Sequence, residues 1–325
     1  MNAMGHRSGF SARGRHVVCF GEVMAELAGL EAGTVRVGVG GDTFNTAVYL
    51  ARLGTSVSYA TALGRDHFSG RIRKRMASEA VRDDLVATSD DRNCGLYAIE
   101  VDDAGERSFT YWRAQSAARQ FFDLAGSEAA LSAMANADVL YLSGITLSIF
   151  PETSQRNRII DLARSVRRRG GHVVFDTNYR PAGWSSGAAA RDAISALRPH
   201  VSIALPTFED EQALFGFESV EECVGYWRQA DVAEVVVKHG LQGAWSEADN
   251  AWIAPPEIIA PVDTTGAGDS FNAGYLHARL NGASCQDAIV AAHKLAAVVL
   301  GVRGALLPAD VPLPTWTKGL DKQNV

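Results

Sequence analysis

From residue 139 onward the chain alternates short β-rich runs with helical segments. Runs near 139–142, 173–176, 201–204 and 234–238 are separated by helix-period stretches near 153–169, 187–197 and 209–227. Strands joined through helices of this length pair in parallel, because the crossover needs a dozen or more residues and lies back on one face of the sheet. The same rhythm opens the chain, with strands expected at 16–20 and 56–62 and helices at 42–53 and 67–79. In the first helix Phe44, Ala47, Val48 and Ala51 recur at helical spacing, and Gly54 closes it. Two stretches break the alternation. Residues 95–101 and 107–112 read as a hairpin around the turn at 102–105, and 22–27 with 34–39 read as a second pair around 31–33. The expected fold is α/β: a doubly wound, mostly parallel sheet with helices on both faces, plus a small β-sheet lid built from about 22–40 and 94–113. Ligands on such cores bind outside the carboxyl ends of the strands, where a lid excludes water.

The 325 residues, 47% hydrophobic and 21% charged, can bury a large core. A formal net charge of −6 excludes a nucleic-acid binder whose whole surface is basic, so an anionic ligand must be met locally. Cys19, Cys94, Cys223 and Cys285 are scattered with no C-x-x-C pair, which argues against a disulfide framework or zinc site and for a reducing cytoplasm. Residues 1–15 are expected to form a mobile tail, 16–310 the folded domain and 311–325 a second tail. No segment reads as membrane-spanning; the apolar stretch 288–302 is interrupted by His293 and Lys294.

The chemistry concentrates at Asp263-Thr264-Thr265-Gly266-Ala267-Gly268-Asp269, which runs into an apolar helix. Backbone N–H groups of Gly266, Ala267 and Gly268 could converge on an anion at the helix's positive end. A carboxylate there repels phosphate, so Asp269 either caps the helix or takes a proton from a hydroxyl attacking phosphorus. Gly40-Gly41-Asp42-Thr43-Phe44-Asn45 opens the first long helix. Gly40 and Gly41 permit close backbone approach, and Asp42 and Asn45 offer groups for sugar hydroxyls, unless Asp42 is only an N-cap. On the lid, alternation puts Tyr111 and Arg113 on one face, across from Tyr97 on the other arm. A guanidinium clamps a carboxylate, which a neutral sugar would not require; the plainer reading is an exposed arginine beside tyrosines covering the sheet.

Asp176-Thr177-Asn178-Tyr179-Arg180-Pro181 falls at a strand's carboxyl end, where Arg180 either neutralises a transferring phosphate or makes a helix-start salt bridge. Lys238-His239-Gly240-Leu241-Gln242-Gly243 reads by itself as a hairpin turn. There is no G-x-x-x-x-G-K-[ST], and Gly38 to Thr43 fails the dinucleotide fingerprint at its last glycine.

The string from Asp263 to Gly274 resembles the C-terminal signature of the ribokinase-like (PfkB) carbohydrate kinases, and Gly40 to Gly54 resembles their first signature. The Gly-Gly-Asp-Thr-Phe-Asn variant and the run Glu106 to Ala114 look like the 2-keto-3-deoxygluconate (KDG) kinases of that family. The resemblance implies ATP-dependent phosphorylation of KDG to its 6-phosphate, with Asp269 as base and Gly266, Ala267, Gly268 and Arg180 stabilising charge. It implies acceptor contacts from Gly40, Gly41, Asp42, Asn45, Tyr97, Tyr111, Arg113 and Asp269. Nucleotide contacts would come from Asn178, Arg180, Lys238, Gly240, Gly243, Gly266 and Gly268, with Mg2+ brought on the phosphates. Alternatives are a kinase for the galactonate epimer, a fructokinase, or a non-catalytic sugar-acid sensor; a homodimer through the lid is also expected. Two departures stand out. Thr177 replaces the usual proline, and Thr207-Phe208-Glu209-Asp210 keeps the acid but not the asparagine of an Asn-x-x-Glu that organises metal and phosphate, which leaves the metal ligands unknown. His293 stands where the family often has asparagine near adenine, and is read as packing.

Overall fold

A computed structural model describes residues 16–29, 34–101 and 107–314. Both expected tails lie outside these residues, except 311–314, as do the turns expected at 31–33 and 102–105. The first strand, β1 (His16–Phe20), is apolar toward both faces and sits inside a nine-stranded sheet. On one side of it lie β4 (Ser56–Leu63) and β5 (Arg82–Thr88), both parallel to it. On the other side come β8 (Val139–Ser143), β9 (His172–Asp176), β10 (Ile203–Ala204) and β11 (Glu234–His239), also parallel. The hairpin strands β12 (Gly243–Ser246) and β13 (Ala251–Ile253) end that side antiparallel. The chain leaves β1 in one direction and resumes on its other side, so the β1/β8 boundary is the switch point where an open α/β sheet gathers ligand.

Alternation along β1 divides the core. Val17 and Cys19 pack with α1 (Asp42–Arg52), α2 (His67–Ser78), α9 (Ala267–Leu280) and α10 (Cys285–Leu300). Val18 and Phe20 face α3 (Ser127–Met134), α4 (Gly144–Ser148), α5 (Thr153–Arg168), α6 (Gly187–Leu197), α7 (Phe208–Phe215) and α8 (Val220–Arg228). The single helix expected over 209–227 is two. Gly216, in the left-handed region at φ 78°, ends α7, and the Ser219 hydroxyl caps α8 by accepting from Glu222 N–H. No helix among the described residues is long and apolar enough to cross a membrane.

The lid is a separate four-stranded sheet in the order β3 (Arg36–Gly40), β2 (Met24–Ala28), β6 (Gly95–Val101), β7 (Arg107–Trp112). Its register places Tyr97 opposite Tyr111, Ile99 opposite Phe109 and Leu96 opposite Trp112. Tyr97, Phe109 and Tyr111 therefore face the cleft, while Leu96 and Trp112 share the far face with a half-exposed indole. Ile99, which an outer apolar face would include, is instead buried with Met24 and Tyr97, because its parity matches Tyr97.

Candidate active site

The carboxyl edge of the sheet, the start of α9 and the inner face of the lid enclose a cleft of about 890 Å³. Gly266 lets the chain enter α9: its φ is 77°, and a Cβ there would lie 2.7 Å from Ala305 O. Asp269 is the third residue of this 14-residue helix, not its cap; Gly266 holds that place without a side-chain hydrogen bond. The Asp269 carboxylate lines the cleft and accepts a hydrogen bond from Asn45 Nδ2 at 2.8 Å. Burial first, then the negative charge of Asp42, push its pKa up to about 8 against the pull of the Asn45 amide. Such a group changes protonation near neutral pH. Ala267 N–H turns back to Thr264 O at 3.3 Å, whereas Gly268 has open space around it apart from Lys238 Nζ, 3.8 Å from a Cβ built there.

Asp42 is the first residue of α1, after Gly41, so it too is not the cap. Gly41 is required: a Cβ would stand 2.3 Å from Glu22 O. Asp42 points into the cleft and accepts from Asn178 Nδ2 at 3.0 Å; burial raises its pKa, with the Ser143 hydroxyl and Thr43 N–H drawing it down. Gly40 lies against the lid, where a Cβ would meet Tyr97 Oη at 2.2 Å. Tyr97 Oη donates to Glu26, and its ring lies 5.9 Å from that of Tyr111. Arg113 lines the cleft near the Tyr111 ring, 5.9 Å from its centroid, and forms an ion pair with Glu22. That pair joins Arg113 Nη2 to Glu22 Oε2, and the Glu22 side chain is fully buried.

Beneath the cleft the polar groups are saturated. Lys238 Nζ donates to Asp176 Oδ2 and Asn272 Oδ1, each at 3.1 Å, and Asn272 Nδ2 lies 2.7 Å from Asp176 Oδ2 and 2.9 Å from Tyr141 Oη. Lys238 is thus a buried partner of Asp176. Asn178 sits at the Asp42 end, held at φ 32°, and Arg180, a half-exposed cleft residue, donates to Asp210 Oδ1 at 2.9 Å. Gly240 and Gly243 lie in the turn between β11 and β12, outside the cleft-lining set; a Cβ on Gly243 would stand 2.3 Å from Ile253 O. His293 is buried, donates from Nε2 to Ile253 O at 3.0 Å and stacks edge-on against Phe271, which is packing. Among the described residues no three His, Cys, Asp or Glu side chains gather as a metal set.

Sequence reasoning passed over Glu22, Asp176 and Glu211. Glu22 stands two residues past β1, at a strand's carboxyl end, and that position was the available signal. Nothing in the sequence distinguishes Glu211, since its role comes from contacts 16 and 34 residues away.

The glycine-entered helix α9 thus presents a half-buried carboxylate to a cleft that the lid faces. Residues 15–312 match the pfkB family carbohydrate kinases, and the chain belongs to that family. It is 41% identical over 305 residues to the 2-dehydro-3-deoxygluconokinase of Dickeya dadantii (strain 3937), covering 91% of this chain and 98% of that protein. The 2-dehydro-3-deoxygluconokinase of Escherichia coli (strain K12) is 40% identical over 306 residues, with the same coverage of each. The crystal structure of a PfkB protein from Polaromonas sp. JS666 superposes with a TM-score of 0.76 at 28% identity, covering 87% of this chain and 94% of that one.

Proposed function

We propose that the protein phosphorylates 2-dehydro-3-deoxy-D-gluconate on its 6-hydroxyl with ATP as donor. The observation that carries this is Arg113, a guanidinium that lines the cleft beside the Tyr111 ring. A sugar acid's carboxylate gains a charge-assisted pair from it, which a neutral sugar does not require. Two relatives of that name at 40% identity or above support the choice.

In this reading Arg113 and Tyr111 hold the acid end, and Asp42, Asn45 and the backbone at Gly40 and Gly41 orient the hydroxyls. Asp269 takes the proton from the 6-hydroxyl as its oxygen forms the bond to the γ-phosphorus and the bond to the bridging oxygen breaks, releasing ADP. Gly268 and its neighbours at the start of α9, with Arg180, meet the negative charge that develops. Mg2+ bound with the nucleotide would supply neutralisation of its phosphate charge. Lid closure over the acceptor excludes water. The far lid face, with Leu96 and the exposed Trp112, pairs with a second copy of the chain, and light scattering that finds only monomer at micromolar concentration removes that element.

An assay of ADP release tests the reading against a panel of KDG, its galactonate epimer, fructose and ribose. KDG as the best substrate supports it. Preference for the epimer or fructose replaces the substrate, and binding without turnover makes the protein a sensor.

A further inference from the structure

Behind the cleft lies a carboxyl group the proposed mechanism does not use. Glu211, on the first turn of α7, is fully buried. Its Oε1 accepts from the Thr177 hydroxyl and from Trp227 Nε1 at 3.3 Å, while Oε2 is buried without a hydrogen bond. Thr177 is also fully buried, and its carbonyl presses on Gly144, where a Cβ would stand 2.0 Å from Thr177 O. The loop after β9 is therefore pinned between Gly144 and Glu211 at the residue just before Asn178. That residue is held in the left-handed region with its amide on Asp42, and two residues further Arg180 is held by Asp210, the neighbour of Glu211.

We propose that Glu211, which does not line the cleft, is a positioning residue that fixes this loop through the Thr177 hydroxyl, so that Asn178 aligns Asp42 for the acceptor. A loop freed from Thr177 relaxes Asn178 out of its strained backbone and loosens Asp42, whereas α9 keeps its own anchor, Asn272 on Asp176. The binding of the acceptor then suffers more than that of the nucleotide. The titratable groups facing Glu211 are Asp210 on its own helix, Asp176 from β9, and Cys223 and Tyr226 from α8. Burial raises its pKa to about 8, with the two donors pulling it down, so the side chain is largely neutral at pH 7 and an amide can replace it.

This role rests on the kinase reading, and four variants of the full chain test it. Thr177→Val and Glu211→Leu are expected to raise KM for the preferred sugar about 5- to 50-fold while KM for ATP stays within about twofold. Thr177→Ser and Glu211→Gln, which keep the bond, are expected to stay within about twofold of wild type for both substrates. Should Thr177→Val not fold, Thr177→Ala carries the same comparison. An active wild type that Thr177→Val matches in both KM values overturns the role alone. A wild type that turns over no sugar overturns the kinase reading and this role with it.

Discussion

The floor of the cleft and its lid wall are built on opposite terms. On the floor Lys238, Asp176, Asn272 and Tyr141 bond one another at 2.7–3.1 Å, with both charged groups under a tenth exposed. On the lid side, Arg113 forms an ion pair with Glu22 and lines the cleft beside Tyr111. The floor network lies beneath the cleft and the lid residues line it, so substitutions in the two places should fail differently: floor variants mainly in stability, lid variants mainly in substrate affinity.

The largest effect is expected at their junction. Asp269→Asn keeps the shape and can still pair with Asn45 but cannot take a proton, so kcat should fall on the order of 10²–10⁴-fold with both KM values little changed. A near-normal kcat removes the base. On the floor, Lys238→Met leaves Asp176 buried without its ammonium, which should lower unfolding free energy by about 3–5 kcal/mol in chemical denaturation. If the variant is as stable as wild type, the floor is not the closed network described.

The pH dependence separates the regions again. With the Asp269 pKa near 8, kcat/KM should rise as pH climbs from 6 and level off above about 8, and no lid variant should move that limb. The folded-state pKa lies above the unfolded one, so the stability cost of this carboxylate accumulates as pH rises from about 4 to 8. The Tm of Asp269→Asn should exceed that of wild type by at least about 2 °C at pH 8, and by less at pH 5. Smallest of all, Tyr111→Phe removes one neutral hydroxyl from the lid and should raise KM for the acid by about 2- to 12-fold with no change in Tm.

Most of this frame is readable in the sequence because it is written in local patterns. The lid hairpin falls at Gly95–Val101 and Arg107–Trp112, and α6 at Gly187–Leu197, as the alternation and periodicity place them. Arg113, Tyr111, Asp42, Asn45 and Asp269 meet in one cleft because each lies at an element end that the topology carries to the switch point. What the sequence hides has no local period. The strand β5 begins Arg-Asp-Asp, and β12 and β13 are only 4 and 3 residues long, too short to show alternation. The break at Gly216 looks like any glycine inside a helical stretch. Lys238 reads by itself as part of a hairpin turn, and nothing local shows that its ammonium lies on Asp176 and Asn272.

The most direct test of the account is the ratio of kcat/KM for KDG to that for fructose, measured in wild type and in Arg113→Ala. Loss of a charge-assisted pair worth roughly 1.5–3 kcal/mol should cut the acid's kcat/KM by about 10- to 150-fold and leave that for fructose nearly unchanged, collapsing the preference. An unchanged ratio, or an equal loss on both sugars, would contradict the claim that this lid reads a carboxylate.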